Sequence, residues 1–314
     1  MTDTPRVGLV LGAGGITGQA FHSGFLAGLA DATGWDARDA SVVVGTSAGS
    51  WVATYLRFGI SGPDLAAAYA DEPMTPEGKA LADRQNPDPS PPLPEGGRLR
   101  LGVPSIPSLL GAARAPCDFR LIAVLAAALT PGPMPTTGWA ESLHGLTGDA
   151  WPDRPLWIPA LRRRDARRVV FGRDDRTPSV AAAVAASSAV PGYCEPAVID
   201  GVEYIDGAAY SPTNADLLRD TPEKLDLAIV SSPMSASEWT GASERALHSL
   251  RLALETWALR RAGIPTVVFA PDAETLDVLG PSSRDRARRP AVVHHVRELA
   301  ATRAESGAFA ALTP

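Results

Sequence analysis

Short apolar runs alternate along this chain with longer stretches in which apolar residues return at helical spacing. Val7 to Leu11 is the first run and predicts a strand. Gln19 to Ala32 follows with Phe21, Phe25 and Leu29 on one face, which predicts a helix, with His22 as a packed residue on it. Val42 to Val44 is a second strand, and Ser50 to Gly59 a second helix through Trp51, Val52, Tyr55 and Leu56. Helix resumes over Asp64 to Ala70 after a break at Ser61-Gly62-Pro63. Pro155 to Leu161 and Val169 to Arg173 are strand-like, with an arginine-rich hairpin loop between them. Thr177 and Pro178 have the chemistry of an N-cap and first helical residue for a helix ending near Ser187. Ala197-Val198-Ile199, Asp200-Gly201 and Val202 to Ile205 read as a tight hairpin. Asn214 can cap a short helix through Leu218. Leu225 to Val230 and Pro265 to Ala270 are further strands; Ser243 to Ala262, with Ser243 as cap, and Pro290 to Glu305 are further helices. The alternation predicts an α/β fold with a largely parallel sheet covered on both faces.

The periodicity fails once. Pro73, Pro76, Pro87, Pro89, Pro91, Pro92 and Pro94 crowd one stretch, which excludes a regular element of a central sheet. Apolar helical patches follow at Ser108 to Ala113 and Phe119 to Leu129, then Pro131, Pro133 and Pro135. We therefore expect one domain over residues 1–314, with residues 73–148 an insertion, read as a cap over the active site or else a peripheral decoration. The 45% apolar content of the 314 residues allows a sizeable core. The longest central apolar run, Leu121 to Leu129, falls short of the roughly 20 residues of a spanning helix and suits a buried or interfacial helix. A net charge of −6 argues against nucleic acid as a partner. The arginine clusters at Arg162 to Arg168 and Arg284 to Arg289 read as solvated surface, the second able to touch an anionic membrane transiently. Two cysteines, Cys117 and Cys194, suit a reducing compartment, and no signal-peptide pattern opens the chain, so the expected location is cytoplasmic.

Chemistry concentrates where the second strand meets the second helix. Gly45-Thr46-Ser47-Ala48-Gly49 fits G-x-S-x-G, and strand–turn–helix is the context of a nucleophile elbow. Its neighbours must be small, as Gly45, Ala48 and Gly49 are, and the helix N-terminus favours developing negative charge. The other reading is a Gly/Ser-rich connection. The turn Gly12 to Gly18 after the first strand also invites a dinucleotide reading, but Thr17 stands where the third glycine belongs, and the next strand ends in Gly45-Thr46-Ser47 with no acid for a ribose. Alternatively, the loop presents backbone N–H groups to an anion formed at Ser47. None of His22, His144, His248, His294 and His295 follows a strand end where a base is wanted. Asp206 does: it ends an apolar strand and precedes Gly207, although Asp-Gly is also an ordinary turn.

Together these residues resemble the patatin-like phospholipases, a family of lipid acyl hydrolases. Leu11 to Gly18 is similar to the family's glycine-rich oxyanion loop, Gly45 to Gly49 to its elbow, and Asp206-Gly207-Ala208 to its D-G-[GA] motif. Ala186 to Gly192, reading Ala-Ser-Ser-Ala-Val-Pro-Gly, resembles the stretch preceding the family's aspartate strand. The resemblance covers Val7 to about Ser61 and Pro155 to Leu218. It implies a three-layer α/β/α fold and a Ser47–Asp206 dyad without histidine. Ser47 attacks an acyl ester, Asp206 moves the proton, and the N–H groups of Gly14, Gly15 and Ala48 hold the oxyanion. Gly45, Gly49 and Gly207 support the turns. The implied function is a phospholipase A, lysophospholipase or esterase acting on a lipid or acyl-ester substrate, with no cofactor and no metal. Thr17 replaces the usual Arg or Lys after the glycines, and Gly18 to Gly24 is one residue longer than the pattern. Those departures keep a second expectation open, a weakly active or inactive lipid-binding relative. The substrate's head group and chain length, and the oligomeric state, do not follow from these motifs.

Overall fold

The computed structural model describes residues 5–87, 100–109, 120–175, 177–237 and 244–312. Ser243, Cys117, Pro89 to Pro94 and part of Ser108 to Ala113 lie outside the described residues. Among the described residues eight strands form one sheet: β1 (Val7–Leu11), β2 (Val42–Gly45), β3 (Leu156–Arg162), β4 (Arg167–Phe171), β5 (Ala197–Ile199), β6 (Val202–Asp206), β7 (Leu227–Ser231) and β8 (Thr266–Phe269). Their order is β5-β6-β3-β2-β1-β7-β8, with β4 paired to β3. β3-β2-β1-β7-β8 runs parallel, while β3 pairs antiparallel with β4 and β6, and β6 with β5. Helices flank a mostly parallel sheet, as the alternation predicts. The Asp200-Gly201 turn also forms as predicted, with positive φ at both residues (49° and 73°).

Successive side chains of the central strands enter different layers. Leu9, Leu11 and Val43 pack with α1 (Gly15–Thr33), α2 (Ala48–Arg57), α3 (Gly62–Tyr69) and the C-terminal helix. Val10, Val42, Val44 and Val230 pack instead with Leu217, Leu218, Leu252 and Leu259. A strand buried on both faces therefore needs its whole run apolar, as β1 and β2 have. Further helices among the described residues are α4 (Pro76–Ala82), α5 (Arg120–Ala127), α6 (Thr137–Thr147), α7 (Val180–Ser188), α8 (Glu244–Arg261), α9 (Ala273–Leu279) and α10 (Arg289–Arg303). Within the proline-rich stretch, Leu143 and Leu146 of α6 join the main core, whereas Leu121, Ile122 and Leu125 of α5 are exposed. The opposite face of α5, through Ala123, Val124 and Ala127, covers Leu161 and Ile205 of β3 and β6.

Three local expectations change. Ser179, not Thr177, caps α7, its hydroxyl accepting from the Ala182 N–H at 3.2 Å. Arg168 is not solvated: its guanidinium is mostly buried against Asp216, with N–O distances of 2.7 and 2.8 Å. Asn214 precedes a short 3-10 helix (Ala215–Asp220) but makes no capping bond. Among the described residues no helix is long and apolar enough to cross a membrane.

Candidate active site

The site is built at the carboxyl ends of β1, β2 and β6. Ser47 stands between β2 and α2 with φ 51° and ψ −119°. That conformation is strained for a residue with a Cβ, at a cost of order 1–3 kcal/mol, and persists only where the surroundings over-determine it. They do. The Thr46 N–H donates to the Leu11 carbonyl at 3.0 Å, the Gly49 N–H to the Gly12 carbonyl at 3.1 Å, and the Ser50 hydroxyl to the Ser47 carbonyl at 2.6 Å. A Cβ on Gly49 would overlap the Leu11 carbonyl, so only glycine lets α2 start this close to β1. Gly45 and Gly207 are likewise pressed on backbone, at Gly49 and Pro159 respectively.

The Ser47 side chain lies beside Asp206, near enough to favour its charged form. Asp206 ends β6 and turns into Gly207–Ala209, its Oδ1 accepting from the Ala208 N–H at 2.8 Å. It is 3% exposed. Burial pushes its pKa up to about 7, against the Ala208 bond and the neighbouring Ser47 hydroxyl, which favour the charged form. A carboxylate poised near neutrality is suited to take and return a proton.

Two helix N-termini converge beside this pair. Gly15, at φ 62°, opens α1, and Ala48 opens α2; the first N–H groups of a helix have no intrahelical partner. The two ends adjoin, since a Cβ on Gly18 would lie 3.6 Å from that of Ala48. Gly14 is the N-cap of α1 and its carbonyl accepts from the Gly18 N–H at 2.9 Å. Thr17 presents no charge here; its N–H donates to the Ser283 carbonyl at 3.1 Å, and Ser283 packs against Gly15.

Several residues around the pair carry no motif signal of their own. Ser187, at the end of α7, accepts from the Ser47 N–H at 3.0 Å and donates to the Pro159 carbonyl at 2.7 Å. Next to it, Ser188 accepts from the Trp51 indole at 3.1 Å, and the Ala189 carbonyl from the Asp206 N–H at 2.9 Å. The end of α7 thus ties the elbow to the aspartate strand. The Ala186-Ser187-Ser188-Ala189 stretch was the one trace of this in the sequence. His22 is fully buried and neutral, as its packed position suggests. Desolvation lowers its pKa to about 4, against the bond to Gly12. The Gly12 carbonyl lies 2.7 Å from its Nε2, so that nitrogen carries the proton, and Nδ1 accepts from the Ser231 hydroxyl at 2.8 Å. His22 therefore pins the glycine loop to the end of β7. Of the other histidines described in ion pairs, His294 lies exposed beside Glu72, far from this role.

The chain resembles VipD from Legionella pneumophila (11% identity, TM-score 0.39, 95% of this chain and 67% of that one). It also resembles human GIVD cytosolic phospholipase A2, solved with methyl gamma-linolenyl fluorophosphonate (11%, 0.40, 98% and 60%). A third likeness is to the type III effector protein ExoU (18%, 0.33, 95% and 54%). The chain thus spans between about half and two thirds of the length of these proteins. No curated protein sequence matches it. The family model described as patatin-like phospholipase matches residues 9–219, which hold the glycine loop, the elbow and the Asp206 turn in order. By that match over most of its length, the chain belongs to the patatin-like phospholipase family.

Proposed function

We propose that this protein is a carboxylic ester hydrolase that cleaves acyl esters of lipids through a Ser47–Asp206 dyad. The observation that carries the reading is the strained Ser47 turn, with its side chain beside a buried carboxylate of pKa about 7. Asp206 in its ionised form accepts the Ser47 proton as Oγ attacks the ester carbonyl. The N–H groups of Gly14, Gly15 and Ala48 are the donors for the resulting oxyanion. Asp206 then returns the proton to the leaving alcohol oxygen, which leaves Ser47 acylated. Water, deprotonated by Asp206, completes the cycle and restores both side chains. No histidine takes part. The exposed apolar face of α5, on the strand that carries Asp206, supports transient contact with a lipid surface. The low cysteine content fits a cytoplasmic location, which fractionation of the native host tests directly.

The test is covalent. A fluorophosphonate probe is expected to label Ser47, and hydrolysis of acyl esters to fall by at least about 10³-fold in Ser47→Ala and in Asp206→Asn. Both variants fully active would overturn the dyad. The contact of Ser283 with Gly15 and Thr17 favours a second reading, a lipid-binding relative whose site is closed. Failure of the probe to label Ser47 in the presence of any lipid supports that one.

A further inference from the structure

Asn214 lies beyond the Asp206 turn and is fully buried. Its backbone is left-handed, at φ 52° and ψ 33°, a region asparagine enters more readily than most residues. The side chain caps nothing. Its Nδ2 donates to the Thr46 hydroxyl at 3.1 Å and to the Ser211 carbonyl at 2.6 Å. Its Oδ1 accepts from Arg168 Nη1 at 3.1 Å. Thr46 is the residue before Ser47, and Ser211 follows the Asp206 turn. One amide therefore spans the two segments that carry the reacting groups.

The amide's orientation is not free. Arg168 has only donors to offer, so the oxygen must face it and the NH₂ must face Thr46 and Ser211. Arg168 is itself fixed, by two bonds to Asp216 at 2.7 and 2.8 Å and by the Tyr210 ring 4.5 Å away. Buried Glu255 secures the flanking residues, accepting from the Thr213 hydroxyl at 2.6 Å and the Ala215 N–H at 2.9 Å. Arg251 donates to its other oxygen at 3.0 Å.

We infer that Asn214 is a positioning residue for the hydrolysis: its amide, oriented by Arg168, bridges Thr46 to the segment after Asp206 and sets the register of Ser47 against its base. This rests on the dyad reading above. A displacement of about 1 Å between nucleophile and base is enough to cost up to about 100-fold in rate. Thr46→Val removes the acceptor alone and keeps the shape. It is expected to lower kcat on a p-nitrophenyl ester and the rate of Ser47 labelling by about 10- to 100-fold, with KM unchanged. Thr46→Ser restores both. Asn214→Asp puts a carboxylate oxygen against the Ser211 carbonyl and is expected to lose as much, despite a retained partner in Arg168. Asn214→Gly accepts the left-handed backbone and serves if the other variants fail to fold. Wild-type kcat and labelling rates in Thr46→Val and Asn214→Gly, whatever happens to Tm, would overturn the inference by making the contact merely structural. A wild-type protein that leaves Ser47 unlabelled ends the dyad reading first and the inference with it.

Discussion

At Asp206, burial acts on the proton that the proposed chemistry would move. Its folded pKa of about 7 stands above the roughly 4 of an unfolded aspartate. The folded state therefore holds the proton more tightly. The stability this contributes is complete below pH ~4 and is lost as pH rises through 7. Asp206→Asn keeps an acceptor for the Ala208 N–H but never has to ionise in the core. We expect it to be inactive yet more stable than the wild type at pH 8, by on the order of 2–4 kcal/mol, with the two melting curves converging toward pH 4. Hydrolysis itself should rise along a limb centred near pH 7 as the base ionises. His22 has the opposite sign: its folded pKa of about 4 lies below the unfolded 6.5, so its contribution is lost as pH falls from 6.5 toward 4. Partly buried His248, whose pKa is also lowered, contributes in the same window, so in Asp206→Asn a further His22→Gln exchange should reduce the loss there, and an unchanged profile would contradict a neutral His22. Ser47 and Asp206 were readable in sequence because each sits in a local pattern of glycines at a strand end. Thr46 and Asn214 were not, and the stretch holding Ser187 was marked without its bond to Ser47, because these bonds join residues 140 and 168 positions apart, and a serine or asparagine shows nothing of its partner.

Among the elements, α5 is the one with a divided surface. Ala123, Val124 and Ala127 face β3 and β6, while Leu121, Ile122 and Leu125 stand exposed at 64%, 48% and 41%. Leu101, Val103 and Ile106 are also exposed. Three clustered apolar side chains outside the core suit an interface with acyl chains better than one with water. Replacing Leu121 and Ile122 with Gln should lower hydrolysis of vesicle-borne lipid several-fold and leave a soluble p-nitrophenyl ester unaffected; equal losses on both substrates would assign α5 a role in the fold instead. The apolar run marked this helix in the sequence, but its direction relative to β6 depends on tertiary packing. The same limit explains Arg168, which shares a cluster with exposed Arg164 and Arg167 and differs from them because β4 delivers it beside Asp216. At α7, Thr177 and Ser179 are both competent caps, and the chain takes the second.

Across the whole molecule, the alternation of strands and helices was enough to predict a layered α/β fold, since it follows from local periodicity. Strand order was not, because it is set by which strand ends meet after long excursions. β7 and β8 come late in the chain, yet β7 lies directly against β1, with Val10 opposite Val230. Likewise α10 closes on α1 where Gly28 leaves room for the Arg297 carbonyl and Gly24 for Val293. The stretch recognised as the family domain, residues 9–219, stops before β7 begins at Leu227. A fragment cut there would hold every motif residue and still lack the neighbour of its own first strand. β1 would become an apolar edge with a row of unpaired N–H and carbonyl groups, the kind of edge that recruits other chains. Residues 1–220 expressed alone should therefore aggregate, and co-expression of residues 221–314 should return them to solution; a stable, Ser47-labelling fragment would contradict this. The boundary at which a family is recognised and the boundary at which this chain can be divided are thus different places, and anyone trimming it for crystals or fusions must keep residues 221–314.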